Sequence, residues 1–158
     1  MRAAALVVIG LLTCGACGGS QVTCTDIGAP SGVNVTIDRQ IAADIHSLTL
    51  TICWAPGNCV DHLADLAPGA DSVDQGCNGS GPDAACSATA VPNGSKIGFV
   101  PAELPAGKIT IEATVVRNGR QRTFGPLDVD ARTTYPNGPA CPAGGNQATI
   151  TLGRDGLR

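Results

Sequence analysis

Ser47-Leu48-Thr49-Leu50-Thr51-Ile52-Cys53-Trp54 decides the fold class. Leu48, Leu50, Ile52 and Trp54 alternate with Ser47, Thr49, Thr51 and Cys53, which is the period of a strand with one face in a core and the other in water. The same alternation recurs along the chain. It runs through Val33, Val35 and Ile37, then Ile109, Ile111, Ala113 and Val115, then Leu127, Val129 and Ala131, and finally Ala148, Ile150 and Leu152. Shorter strands are expected near Asn58–His62 and Lys96–Val100. Only Val60–Ala67 reads as a possible helical turn.

Turn chemistry separates these runs: Pro56-Gly57-Asn58, Pro92-Asn93-Gly94, Asn118-Gly119 and Pro136-Asn137-Gly138. Asn118-Gly119 is the strongest hairpin signal, because both residues tolerate positive φ. About seven short strands joined by tight turns predict an all-β domain, an immunoglobulin-like β-sandwich stapled by disulfides, with a small β-barrel as the alternative.

Composition agrees with that reading. The chain has 158 residues, 21 Gly and 11 Pro without a period, and only 15% charged residues, so one domain rich in turns is expected. Four aromatic residues, Trp54, Phe99, Phe124 and Tyr135, leave the core to aliphatic side chains. The alternation of Trp54 with Leu48, Leu50 and Ile52 places it in that core rather than on a sugar-stacking surface. The net charge of −3 gives no electrostatic footprint for nucleic acid.

The amino terminus has the layout of an export signal. Arg2 precedes an apolar run of about ten residues, Ala3–Leu12, and small residues follow. The run is too short to cross a bilayer, which takes roughly 20 apolar residues. Gly15-Ala16-Cys17 then predicts lipoprotein cleavage with Cys17 as the lipid-bearing residue. Residues 1–16 are the expected signal peptide, 17–23 a short lipidated tether, and 24–158 a single domain. Cys14 and cleavage without lipidation are the rivals. Lipidation of Cys17 leaves an even set: Cys24, Cys53, Cys59, Cys77, Cys86 and Cys141. Either rival leaves seven thiols, one of them unpaired in an oxidising compartment. Six cysteines permit fifteen pairings. The expected set closes two short loops, Cys53–Cys59 and Cys77–Cys86, and ties the domain's start to its end through Cys24–Cys141.

Two segments resemble known sequences: Cys24-Thr25-Asp26-Ile27-Gly28-Ala29-Pro30-Ser31-Gly32-Val33, and Tyr135-Pro136-Asn137-Gly138-Pro139-Ala140-Cys141-Pro142-Ala143-Gly144-Gly145-Asn146-Gln147-Ala148. They resemble the opening and closing segments of small actinobacterial lipoproteins and secreted proteins of unknown function. The resemblance implies one extracytoplasmic domain and carries over no functional residue.

Candidate chemistry is sparse. His46 and His62 are the only histidines, and Asp61-His62 with Asp65 nearby is the one arrangement that suggests an oriented imidazole. It would serve an envelope enzyme or enzyme accessory, but a surface histidine is the commoner meaning of such a triplet. Asp71, Asp74 and Asp83 lie in a Gly-rich region without the spacing of a calcium loop, so a solvated loop is expected there and a small-ion or ligand carrier is the third reading. No metal site or cofactor is expected. The Cys77–Cys86 loop, carrying Asn78, Ser80 and Asp83, is the expected contact surface, since loops on a rigid scaffold often carry recognition. The leading expectation is a non-enzymatic binding or scaffolding module, held at the membrane by its lipid and facing a protein partner in the envelope.

Overall fold

A computed structural model describes residues 23–158. The signal peptide and Cys17 expected from the sequence lie outside the described residues. Among the described residues, nine strands and one helical turn follow in chain order: β1 (Gly32–Ile37), α1 (Arg39–Ala42), β2 (Ile45–Ala55), β3 (Asn58–Leu63), β4 (Asp65–Asn78), β5 (Ala85–Pro101), β6 (Gly107–Arg117), β7 (Arg120–Thr133), β8 (Asn146–Gly153) and β9 (Gly156–Leu157).

The strands form a two-layered, sandwich-like all-β fold. One layer runs β3-β2-β6-β7 and the other β8-β1-β5-β4, with β9 paired to β8. The layers meet on one side where the end of β7 pairs with the start of β8, Arg132 opposite Gln147 and Thr133 opposite Asn146. On the other side the chain passes directly from β3 through Ala64 into β4, changing layers. Every pairing is antiparallel except β1 with β8.

The alternating residues face inward as their period requires. Val33, Val35 and Ile37 of β1, Leu48, Leu50 and Ile52 of β2, Ile109, Ile111, Ala113 and Val115 of β6, and Ala148, Ile150 and Leu152 of β8 are all buried. No polar or charged residue among those described is buried with them. Each large aliphatic side chain taken from water contributes roughly 1.5–3 kcal/mol, so these facing rows supply the main drive for folding.

Four details depart from the sequence reading. Nine strands replace the expected seven. Val60–Leu63 belongs to β3, and the one helical turn is α1 instead, four residues long. Pro92-Asn93-Gly94 is no hairpin turn: Asn93, Gly94 and Ser95 bulge out of β5 where its register with β4 shifts, between Pro68 opposite Lys96 and Ala70 opposite Pro92. Trp54 is only half-buried, because the register of β2 against β3 shifts between Cys53 and Ala55 and lifts it to the rim of the core.

The sandwich has two poles. At the first, Gly32 of β1 lies beside Gln147, and Cys53 of β2 beside Thr110. The amino-terminal segment is fastened there. The Asn137 side-chain amide donates to Thr25 O at 2.8 Å and Ile27 O at 3.1 Å, Gly145 N donates to Ala29 O at 2.6 Å, and Cys24 is bonded to Cys141. At the second pole lie the end of β1, α1, the β6–β7 hairpin and the β8–β9 turn. The hairpin turns through Asn118 (φ 48°) and Gly119 (φ 72°), the positive values that Asn-Gly accommodates best.

Candidate functional site

β4 and β5 run on past the second pole as a two-stranded ribbon. Their paired register continues from Ala70 opposite Pro92 to Asn78 opposite Ala85, well beyond Lys96, the residue level with the end of β1. Along this stretch neither face has a core beneath it: residues 70–83 and 85–92 are exposed. An isolated two-stranded ribbon is marginally stable in water, and here the Cys77–Cys86 disulfide staples it close to its tip. The Gly-rich loop singled out from the sequence is therefore the end of a projecting arm.

The arm has a definite chemistry. It carries Asp71, Asp74 and Asp83, and no Lys or Arg occurs from Leu63 to Ser95. Asp71 pairs with Val91 and Val73 with Thr89, and these four lie on one face because they are two residues apart on each strand. Val73 and Val91 are 43% and 45% exposed, so this face offers aliphatic area beside carboxylate. Among the described residues the outer edge of β4 has no strand partner. Pro68, Asp71, Asp74 and two register shifts protect that edge from indiscriminate strand addition.

A polar cleft of about 400 Å³ lies at the arm's base, between the end of β1, α1 and the bulge of β5. The Asn93 side chain organises it. Its amide nitrogen donates to Asp71 Oδ1 at 2.7 Å, and its oxygen accepts from Ser95 N at 3.0 Å and Ser95 Oγ at 2.7 Å. Gly69 leaves room for the Ser95 hydroxyl in this network, since a Cβ there would collide with Ser95 Oγ. Across the cleft Asp38 accepts from Arg158 at 2.7 Å, and Lys96 Nζ donates to Ile45 O at 2.6 Å, fixing the arm's root to β2. The cleft can offer hydrogen bonds of both polarities. Its lining includes neither histidine nor cysteine.

The residues expected to carry chemistry are dispersed. Asp61 and His62 are neighbours on β3 and point to opposite faces. Asp61 accepts a hydrogen bond from Thr51 Oγ1 at 2.6 Å on the outer face, whereas His62 pairs with Leu50 at the edge of the core. Asp65 sits opposite Phe99 on the other layer's outer side, and His46 is exposed on β2. Asp71 serves Asn93 and Asp74 accepts from Gly76 N at 2.7 Å, so they do not converge with Asp83. Among the described residues no three His, Cys, Asp or Glu side chains are grouped to hold a metal ion. The base cleft was not legible in the sequence, because it joins residues 36–40 to Asp71 and to Asn93–Ser95. The Pro-Asn-Gly signal that marks its centre reads locally as a turn.

All six cysteines of the described region are paired, Cys24–Cys141, Cys53–Cys59 and Cys77–Cys86, the set expected from spacing. Three disulfides fit an oxidising, extracytoplasmic environment. No helix among the described residues is long and apolar enough to cross a membrane. Comparison with known proteins finds no matching family model, no matching curated protein and no matching solved structure.

Proposed function

We propose that the chain is a lipid-anchored extracytoplasmic lipoprotein, a non-enzymatic binding module that presents the β4–β5 arm to a protein partner in the cell envelope. One observation carries this reading. About twenty residues are built into a stapled, ordered ribbon that buries nothing of its own, at the pole opposite the fastened amino terminus. Ordering a residue's backbone costs about 1–2 kcal/mol. An arm that returns no core burial for that cost suits a surface whose burial comes from a partner. The Gly15-Ala16-Cys17 pattern supports the anchor, and a lipid at Cys17 leaves the arm facing away from the bilayer.

The test uses the full-length protein in its native envelope, with a photoreactive phenylalanine analogue at Val73 or Val91. A discrete protein adduct is expected from both positions and none from Thr114, which lies on the outer face of β6 paired with Thr123. The reading fails if the arm yields no adduct, or the same adduct as Thr114. Mass spectrometry of the mature amino-terminal peptide should show a diacylglycerol thioether on Cys17, and an unmodified thiol there removes the anchor.

A further inference from the structure

Six of the seven arginines among the described residues gather at the second pole: Arg39, Arg117, Arg120, Arg122, Arg154 and Arg158. In a chain of net charge −3 this is a marked segregation. Two of them are neutralised, Arg117 by Asp44, with Nε 3.1 Å from its Oδ2, and Arg158 by Asp38. Arg122 and Arg154 have no carboxylate within ion-pair distance among the described residues.

These two arginines, with Arg117, rim a cavity of about 100 Å³ in the mouth of the sandwich. Its floor is Ile41, Ile45, Val115 and Phe124, and no carboxylate lines it. Strand register explains how a cation comes to lie there. Arg122 pairs with Val115 and Phe124 with Ala113, so Arg122 occupies a core-facing position of β7, at the point where the core opens to solvent. Its guanidinium stands 4.6 Å from the centre of the Phe124 ring. With Arg117 paired to Asp44, the two uncompensated guanidinium groups of Arg122 and Arg154 face one small apolar cavity, and an anion seated between them gains charge-assisted hydrogen bonds while its apolar body covers the floor.

We infer that this mouth is a binding site for a small amphiphilic anion: a carboxylate or phosphate head held by Arg122 and Arg154, on a short aliphatic body packed against Ile41, Ile45 and Val115. The size follows from the cavity, which holds roughly three water-sized groups. The site lies apart from the arm faces and does not depend on the partner-binding reading.

The test is a titration of the full-length protein followed by NMR of the Ile41, Ile45 and Val115 methyl groups. The probes are butyrate, monobutyl phosphate, inorganic phosphate and butylamine, applied to the wild type and to an Arg122→Gln/Arg154→Gln variant. Saturable shifts are expected with butyrate or monobutyl phosphate, and the tighter of the two identifies the head group. The double variant should bind at least about tenfold more weakly, the loss expected for a charge-assisted hydrogen bond. Both substituted residues are exposed, so the variant should keep the wild-type spectrum away from the cavity. The inference is overturned if no anion gives saturable shifts, if butylamine binds equally well, or if the double variant binds as the wild type does. Inorganic phosphate binding as tightly as monobutyl phosphate would also overturn it, since the apolar floor would then contribute nothing.

Discussion

Gly145 shows how much a single residue can govern at the first pole. A Cβ at this position would run into the Pro30–Ser31 peptide: Ser31 N, the Pro30 carbonyl carbon at 2.7 Å and Ser31 Cα at 2.7 Å. Backbone cannot rotate away as a side chain can, and Gly145 N also anchors the amino-terminal segment through Ala29 O. Gly145→Ala should therefore cost about 1–3 kcal/mol, the range for overpacking a tight site. Gly81→Ala, where nothing lies within 4 Å, should change stability by no more than about 0.5 kcal/mol. Chemical denaturation of the two variants measures the difference, and equal midpoints would refute the close-approach argument. None of this was visible in the sequence, where Ser31 and Gly145 stand more than a hundred positions apart. Asn118-Gly119 was legible, because its positive φ values arise within the turn itself and need no distant neighbour.

At the level of strands, legibility tracks burial. β1, β2, β6 and β8 each have one face on the core, so their sequences alternate and their inward residues could be named in advance. The ribbon halves of β4 and β5 have water on both faces, and Ala70–Asn78 accordingly shows no alternation that could reveal a strand. Such an element is held by its own ladder and its staple, which makes it separable from the core. Cys77→Ser/Cys86→Ser removes a crosslink with a sequence separation of 9 between two exposed residues. The expected result is a nearly unchanged global melting transition, with amide exchange of Ser72–Asn78 and Ala85–Val91 accelerated toward open-chain rates. Exchange in Leu48–Ile52 should stay as slow as in the wild type. If the whole domain lost stability by the roughly 2–4 kcal/mol usual for a disulfide, the arm would have to be part of the cooperative core.

Across the whole molecule, sequence reading reached the Cys24–Cys141 tie of the first pole through cysteine spacing, but not the β1–β8 pairing beside it or the arm at the second pole, because long-range strand pairing creates them. The parallel β1–β8 pair and the Cys24–Cys141 bond bring residues separated by more than a hundred positions to one end, while the arm leaves from the other. With a rise of about 3.3 Å per residue, six residues of β1 and some ten of the ribbon give a contour of roughly 50 Å from the first pole to the arm's tip. Trp54, the single tryptophan, lies at the first pole beside the Cys53–Cys59 hairpin. If Cys17 carries the lipid, only six residues separate it from Cys24, a reach of about 20 Å when extended. Energy transfer from Trp54 to a dansyl-labelled lipid should then be strong in vesicles carrying the anchored protein. A Trp54→Phe/Ala85→Trp variant, whose tryptophan sits at the tip, should transfer weakly. Removing the lipid with Cys17→Ala should abolish both signals, because nothing then holds the domain at the bilayer. Strong transfer from the tip with little from Trp54 would mean that the arm lies against the membrane, and its surface would have to be read as facing lipid instead of an envelope partner.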